Sequence, residues 1–261
     1  MTRWQSIIDK ALVIAAVLAL WQWGSMTAGA YWVPAPWPVV LALWDMMRTG
    51  EIFRHAGYTL QASLWGFLLG GIPGMALPFV LRRFPRLEAI LDPFLVGGYG
   101  LPKLALAPLF ILWFGIGIES KIALVTSVVF FLVYFNTAAG VRAIDPRLLL
   151  MARVIGAGEL RIATQVIWPS AVPFIFAGFR VSTPYAIGGA VIAELISSNR
   201  GLGYLVQLGA MNFKTSQVFA AILAITLIVI GANAVVNGIE RRLLRWRPSS
   251  KTASATASGG M

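Results

Sequence analysis

No cysteine occurs anywhere in the chain, which excludes disulfides, thiolate metal sites and cysteine nucleophiles. Histidine is nearly absent too. His55 is the one instance, and because a metal site needs several convergent ligands, a lone His beside Arg54 reads as a solvated loop residue without a role. Charge is scarce at 12% of residues, where a soluble domain carries about 25%. Carboxylates are not paired on any apolar run, which leaves little for acid–base catalysis within a membrane or for binding a coupling ion there. None of the lysines, Lys10, Lys103, Lys121, Lys214 and Lys251, follows a glycine, so the Gly-Lys-Ser/Thr loop that cradles nucleotide phosphates is missing. No polar stretch is long enough to bury the core of a second, soluble domain.

Apolar residues supply what is left: 58% of the chain, with a mean hydropathy of +0.78. Six runs approach the ~20 residues that a helix needs to cross ~30 Å of hydrocarbon. They lie near 11–31, 57–81, 94–117, 121–141, 173–194 and 216–238. Backbone amides in lipid have no water to bond, so each run is expected to be a helix despite internal Gly70, Gly71, Pro73 and Pro78, which mark bends or close helix contacts. Trp4, Trp32, Trp37 and Trp246 stand near the ends of runs, where amphipathic rings settle at the membrane interface. The first run, preceded by Arg3 and Lys10, resembles a secretory signal, but it is long enough to span and its tryptophans suit a cleavage site poorly, so an uncleaved anchor is expected.

The net charge of +11 fits orientation and anionic headgroups rather than nucleic acid. With the N-terminus inside, Arg3, Lys10, Arg82, Arg83, Arg86, Arg142, Arg147, Arg153, Arg161, Arg241, Arg242, Arg245, Arg247 and Lys251 fall on the cytoplasmic side. Only Arg48, Arg54, Lys121, Arg200 and Lys214 fall outside. This asymmetry places both termini in the cytoplasm. The tail from Ser249 to Met261, rich in Ser, Thr, Ala and Gly, is expected to be disordered.

One polar interruption, Arg142 to Val172, stays on the cytoplasmic side between two crossings. Asp145 suits an N-cap, Pro146 the first helical position, and Gly156 a left-handed exit, which predicts a helix of about three turns. Leu148, Met151, Ala152 and Ile155 share a face of that helix, with Arg147 and Arg153 away from it. A second short helix is expected from Glu159 to Trp168, with Leu160, Ala163 and Ile167 along one side and Pro169 and Pro173 stopping it. By physics alone this is either an interfacial hairpin or a docking element.

The spacing Ala152, Gly156, then Ile167 and Pro169 resembles the cytoplasmic loop signature of ABC importer permeases, whose usual form is Glu-Ala-Ala, three residues, Gly, nine residues, Ile-x-Leu-Pro. Here those positions carry Leu150, Met151, Ala152, Gly156, Val166, Trp168 and Pro169, so the glycine and proline stand while the carboxylate is lost. Pro102 to Gly117, Asn136 to Pro146 and Glu194 to Leu205 resemble the nitrate, taurine and aliphatic-sulfonate branch, and the likeness covers roughly 55 to 245.

The resemblance implies an all-α, polytopic bacterial inner-membrane protein of six transmembrane helices and a coupling-helix loop, of the type I importer kind. Residues 1–55 would form an anchor helix and outer loop, 56–240 the transmembrane domain, and 241–261 a basic, then disordered tail. The implied coupling residues are Asp145, Pro146, Ala152, Gly156, Ala157, Ile167 and Pro169. The implied partners are a cytoplasmic ATPase dimer that holds ATP and Mg, a second permease copy, an extracytoplasmic solute-binding protein and the bilayer. The chain itself would be no enzyme, and would hold no metal or cofactor. Its cargo would be a small, anionic solute such as a sulfonate, taurine or nitrate.

Charges inside apolar runs are candidates for a translocation path. Lys103 either snorkels to the interface or lines the path. Arg180, deeper in its run, either pairs with a helix-end carbonyl or lines a path for anions. Glu194 is a gate, a pairing residue or a plain helix end. The competing functional class is an ion-gradient-driven secondary transporter, with an intramembrane enzyme and a non-transporting scaffold behind it.

Overall fold

A computed structural model of the chain describes residues 3–245. The tail expected to be disordered, with Trp246, Arg247 and Lys251, lies outside the described residues, as does the side chain of Trp4. Helices account for all regular structure among the described residues. In order they are α1 (Arg3–Ala28), α2 (Pro36–Arg48), α3 (Glu51–Arg83), α4 (Pro85–Gly100), α5 (Ala107–Phe114), α6 (Ile118–Arg142), α7 (Pro146–Val154), α8 (Glu159–Ile162), α9 (Trp168–Ile196), α10 (Leu202–Met211) and α11 (Thr215–Leu243). Among the described residues five helical spans are long and apolar enough to cross a membrane, and the bent pair of Pro85–Gly100 with Lys103–Phe114 makes a sixth when counted as one broken span.

That broken span corrects the expected crossing at 94–117. The chain turns by 85° between α4 and a short 3-10 turn, Lys103–Leu106, that leads into α5. Pro102 supplies the reason: it forces Leu101 out of the helical region, to φ −65° and ψ 138°. Two further helices, α2 and α10, occupy segments that read as loops in the sequence, 37–51 and 197–215. Each is short of the length that marks a crossing, and α2 opens with Pro36 in the first turn, where no amide donor is needed.

The described chain divides into two compact units. The first holds the chain up to Ser63, Leu104–Ile122 and Ile187–Ile228. Its core joins Val39 and Met46 of α2, Ile52 of α3, Leu202 and Leu205 of α10, and Ala220, Ala221 and Ala224 of α11. Three buried alanines within about one turn of α11 give its neighbours small side chains to pack against. Trp21 of α1 donates its indole N–H to the Pro34 carbonyl at 2.9 Å and stacks on Phe219, while most of α1 stays exposed, as a lipid-facing helix would be.

The second unit holds Leu64–Lys103, Ala123–Ala186 and the described chain from Val229. Here α3 and α6 meet through Gly70 and Gly74. A Cβ on Gly74 would sit 2.6 Å from the Phe130 carbonyl oxygen, and one on Gly70 would meet the Thr126 carbonyl at 2.5 Å. Glycines four apart put two bare backbones against α6, the arrangement that apolar helices use where packing has to replace hydrophobic drive. Gly140 and Gly178 do the same between α6 and α9, against Phe174 and Asn136. Substituting Gly74→Val should therefore force α3 off α6 at a cost of about 1–3 kcal/mol; a melting midpoint of the detergent-purified protein within a degree of the wild type would contradict this.

Candidate functional site

Two polar constellations stand out, one in each unit. In the second unit, the loop after α6 begins at Asp145, whose Oδ1 accepts the Arg147 amide at 2.8 Å and caps α7. Pro146 occupies the first helical position. At the far end Ala157 donates its amide to the Ala152 carbonyl at 2.9 Å and Gly156 donates to Arg153 at 3.0 Å, with Gly156 at φ +79°. That paired closure ends the helix without an orphan carbonyl on its inner side. Arg153 reaches Glu159 across the bend at 3.4 Å, an exposed pair of small value.

Ala152 is the foot of α7. It is buried with Ile162, Ile167, Ala171 and Ile175 against Val141 and Ile144 at the end of α6, and Ala157 packs at the edge of the same cluster. The expected apolar face is therefore split. Ala152 points inward, whereas Met151 and Ile155 are 65% and 83% exposed, in company with Leu150 and Val154 at 64% and 78%. The outer surface of α7 is an apolar ridge without cover.

The second short helix differs from expectation. Only Glu159–Ile162 is α-helical; Ala163–Ile167 widens into a π turn, and the chain then runs straight on into α9. Pro169 does not close a helix: it sits in the first turn of α9, while Pro173 lies inside that helix. A π turn releases the amide bonding that a proline would break, which lets the helix pass through. The wider turn also shifts the register, so Leu160 is 80% exposed while Ile162 and Ile167 are buried.

In the first unit, Glu194 is fully buried near the end of α9. Its carboxylate accepts from the Thr59 hydroxyl at 2.9 Å and from the Gly203 amide at 2.9 Å. Thr59 Oγ1 in turn accepts the Leu202 amide at 2.9 Å, and His55 Nδ1 accepts the Gly201 amide at 3.0 Å. Three successive amides at the start of α10, which have no partner within that helix, are thus held by side chains of α3 and α9. Gly201 has φ +105°, and a Cβ on Gly203 would collide with the Val191 carbonyl. Both glycines are required for so close a crossing. Lys121 is also fully buried and donates to the carbonyls of Ile116 at 2.8 Å and Ser197 at 2.5 Å, which anchors the start of the 197–203 bend.

Of the three alternatives for Glu194, the geometry is that of a pairing residue. His55 is no loop residue: it lies on α3, half-buried, its ring stacked on Tyr204 at 5.6 Å. Lys121, counted outside from the sequence, lies in the first turn of α6. Thr59 was not legible as a partner in the sequence, Lys121 only as an outside charge, and Gly203 only as part of the 194–205 stretch; the position of Thr59 one turn beyond His55 on α3 is the signal that could have found it.

The remaining charges belong to the second unit. Lys103 donates to the Tyr99 carbonyl at 2.8 Å and lies over the Phe131 ring at 4.6 Å, so it closes the broken end of α4. Arg180 pairs with Glu240 of α11 at 3.3 Å, a partner the sequence reading did not consider. No group of three or more metal-ligating side chains occurs among the described residues.

Removing the Glu194 carboxylate orphans the buried Gly203 amide and leaves the Thr59 hydroxyl only the His55 carbonyl, at 3.3 Å, to donate to. Glu194→Ala should destabilise by about 2–4 kcal/mol, and Glu194→Gln, which keeps an acceptor oxygen, by less. Thermal unfolding of the purified protein measures both, and equal midpoints for the two variants would contradict the assignment.

Comparison with known proteins places this geometry. The putative aliphatic sulfonates transport permease protein SsuC of Bacillus subtilis is 36% identical over 91% of this chain and 87% of its own length. The riboflavin transport system permease protein RibX of Chloroflexus aurantiacus is 32% identical over 91% of this chain and 90% of its own. The fold is shared with a bacterial ABC transporter involved in the import of the acidic polysaccharide alginate, at a TM-score of 0.63 and 15% identity, covering 92% of this chain and 98% of that one. Residues 52–247 match the family described as binding-protein-dependent transport system inner membrane component. The chain belongs to that family and is an integral membrane permease subunit of an ABC importer.

Proposed function

We propose that this permease subunit carries a small anionic solute inward across a bacterial cell membrane, moved by a separate ATPase pair that grips α7. The observation that carries this reading is the ridge of Leu150, Met151, Val154 and Ile155, exposed on a helix closed at both ends and rooted by Ala152 in the core of the second unit. Apolar side chains standing uncovered on a polar loop mark a surface made for a partner. Leu150 occupies the position where the family signature has a carboxylate, so contact with the ATPase here relies on apolar burial in place of an ion pair.

Rigidity is what makes α7 useful as a lever. A push on it cannot be absorbed by fraying, because Asp145 holds one end and the Gly156 closure the other. The displacement passes through Ala152, Ile162 and Ile167 to Val141 on α6, to Ile144 in the turn after it, and to Ala171 and Ile175 on α9. In this reading ATP and Mg reside on the ATPase, the chain does no hydrolysis, a second copy of the permease completes the pathway, and an extracytoplasmic binding protein delivers the solute. Residues 56–240 form the transmembrane domain. The excess of basic residues near α7 and the C-terminal end of α11 supports cytoplasmic termini. The sulfonate permease of Bacillus subtilis supports a sulfonate-like cargo.

ATP-driven uptake of ethanesulfonate in vesicles holding permease, ATPase and binding protein tests the reading, and accumulation by the permease alone would sink it. Val154→Asp with Ile155→Asp should cut copurification of the ATPase at least tenfold. Gly156→Val should abolish uptake while leaving membrane insertion intact, since a β-branched residue at φ +79° costs about 1–2 kcal/mol. A Cβ there meets nothing within 4 Å. Gly156→Ala shares that strain with less bulk and should retain more uptake than valine, so equal uptake by both would point to another cause.

A further inference from the structure

The first turns of α3 bear two polar stripes. Half-buried His55 and buried Thr59 and Ser63 form the inner one, and the first two of these are engaged by the amides that open α10. The other stripe, Arg54, Tyr58 and Gln61, runs at spacings of four and three along one side of the helix. It lines a cavity of about 640 Å³ closed opposite by Asn199 and Arg200, with His55 and the bare backbone of Gly57 between. All of these belong to the first unit.

Two guanidiniums and no carboxylate line this space. Among the described residues neither Arg54 nor Arg200 forms an ion pair. Glu51, Glu119 and Glu194, the acids whose fields reach His55 and Tyr58, are all outside the lining, and Glu194 is already engaged by Thr59 and Gly203. The backbone that carries Arg200 is held in place. Ser198 Oγ accepts the Arg200 amide at 3.3 Å and donates to the Arg200 carbonyl at 2.7 Å, and the next three amides are pinned by His55, Thr59 and Glu194. A guanidinium presents a planar fork of donors that matches a sulfonate or carboxylate, and Gln61, Asn199 and Tyr58 add neutral polar groups. The volume falls within the range of small-molecule sites.

We infer that this cavity is a solute-binding station on the permease itself, which takes a small organic oxyanion, a sulfonate above all, between Arg54 and Arg200. This deepens the reading of an anionic cargo and rests on it. The buried Glu194 network then has a task beyond stability: it fixes the loop that carries one of the two arginines.

The test uses the permease with its ATPase in phosphatidylcholine nanodiscs, without binding protein, titrated with ethanesulfonate at constant ionic strength. The wild type should show a saturable rise in melting midpoint. Arg54→Gln with Arg200→Gln should weaken that response at least tenfold, since each charge-assisted contact is lost. Gly57→Leu, whose added Cβ meets nothing within 4 Å, keeps both arginines and should block the response by filling the space. No saturable response in the wild type, or one unchanged in both variants, overturns the inference. So does an unchanged ethanesulfonate response in the double-arginine variant whose capture of separately added binding protein falls tenfold, which would make the cavity a docking surface for an acidic side chain. Uptake of ethanesulfonate without any such response overturns the station and leaves the transport reading standing. An arginine-dependent response without uptake supports the station and sinks the cargo.

Discussion

A chain dissolved in lipid has to find partners for its polar groups within itself, and two departures from plain helix in this protein are organised around that constraint. Where α4 stops at Leu101, Lys103 supplies donors to the freed carbonyls. Where α9 gives way to the 197–203 bend, Lys121 takes the Ser197 carbonyl, and Glu194, Thr59 and His55 take the amides that open α10. Charged side chains act here as caps for helix ends. That use makes a buried charge affordable, because each is surrounded by backbone dipoles of the opposite sense.

The two ends of function place opposite demands on this scheme. In the second unit the loop around α7 closes both ends of its helix from within, through Asp145 and the turn at Gly156, and leaves its apolar ridge uncovered. Its need is for a partner's surface. In the first unit the 197–203 bend has its backbone held from outside by α3 and α9, and leaves Arg200, with Arg54, short of counter-charge. Its need is for an anion. Apolar surface suits a protein partner and unpaired guanidinium suits an oxyanion, and the two proposed roles rest on these two kinds of deficit.

Much of the fold was legible because its signals are local. The apolar runs gave α1, α3, α6, α9 and α11, since length and hydropathy are properties of consecutive residues. Asp145, Pro146 and Gly156 marked the ends of α7 for the same reason. The errors cluster where a neighbour overrides a local rule. Pro169 reads as a stop, yet a π turn carries the helix past it. Segments 37–51 and 197–215 read as loops, yet Val39, Met46, Leu202 and Leu205 make helices of them by packing on α11. Leu160 and Ile167 read as one face, and the widened turn separates them.

Composition and order alone determined that the protein spans the membrane, lacks a nucleotide-binding loop and carries a helix capped at both ends within its polar interruption, because each follows from residues adjacent in the chain. Tertiary structure alone decided that Glu194 meets Thr59, that Arg180 meets Glu240, and that Arg54 faces the same cavity as Arg200. Those pairings join residues far apart along the polypeptide, and no spacing rule reports which of several scattered charges the folded helices will bring within a few ångströms.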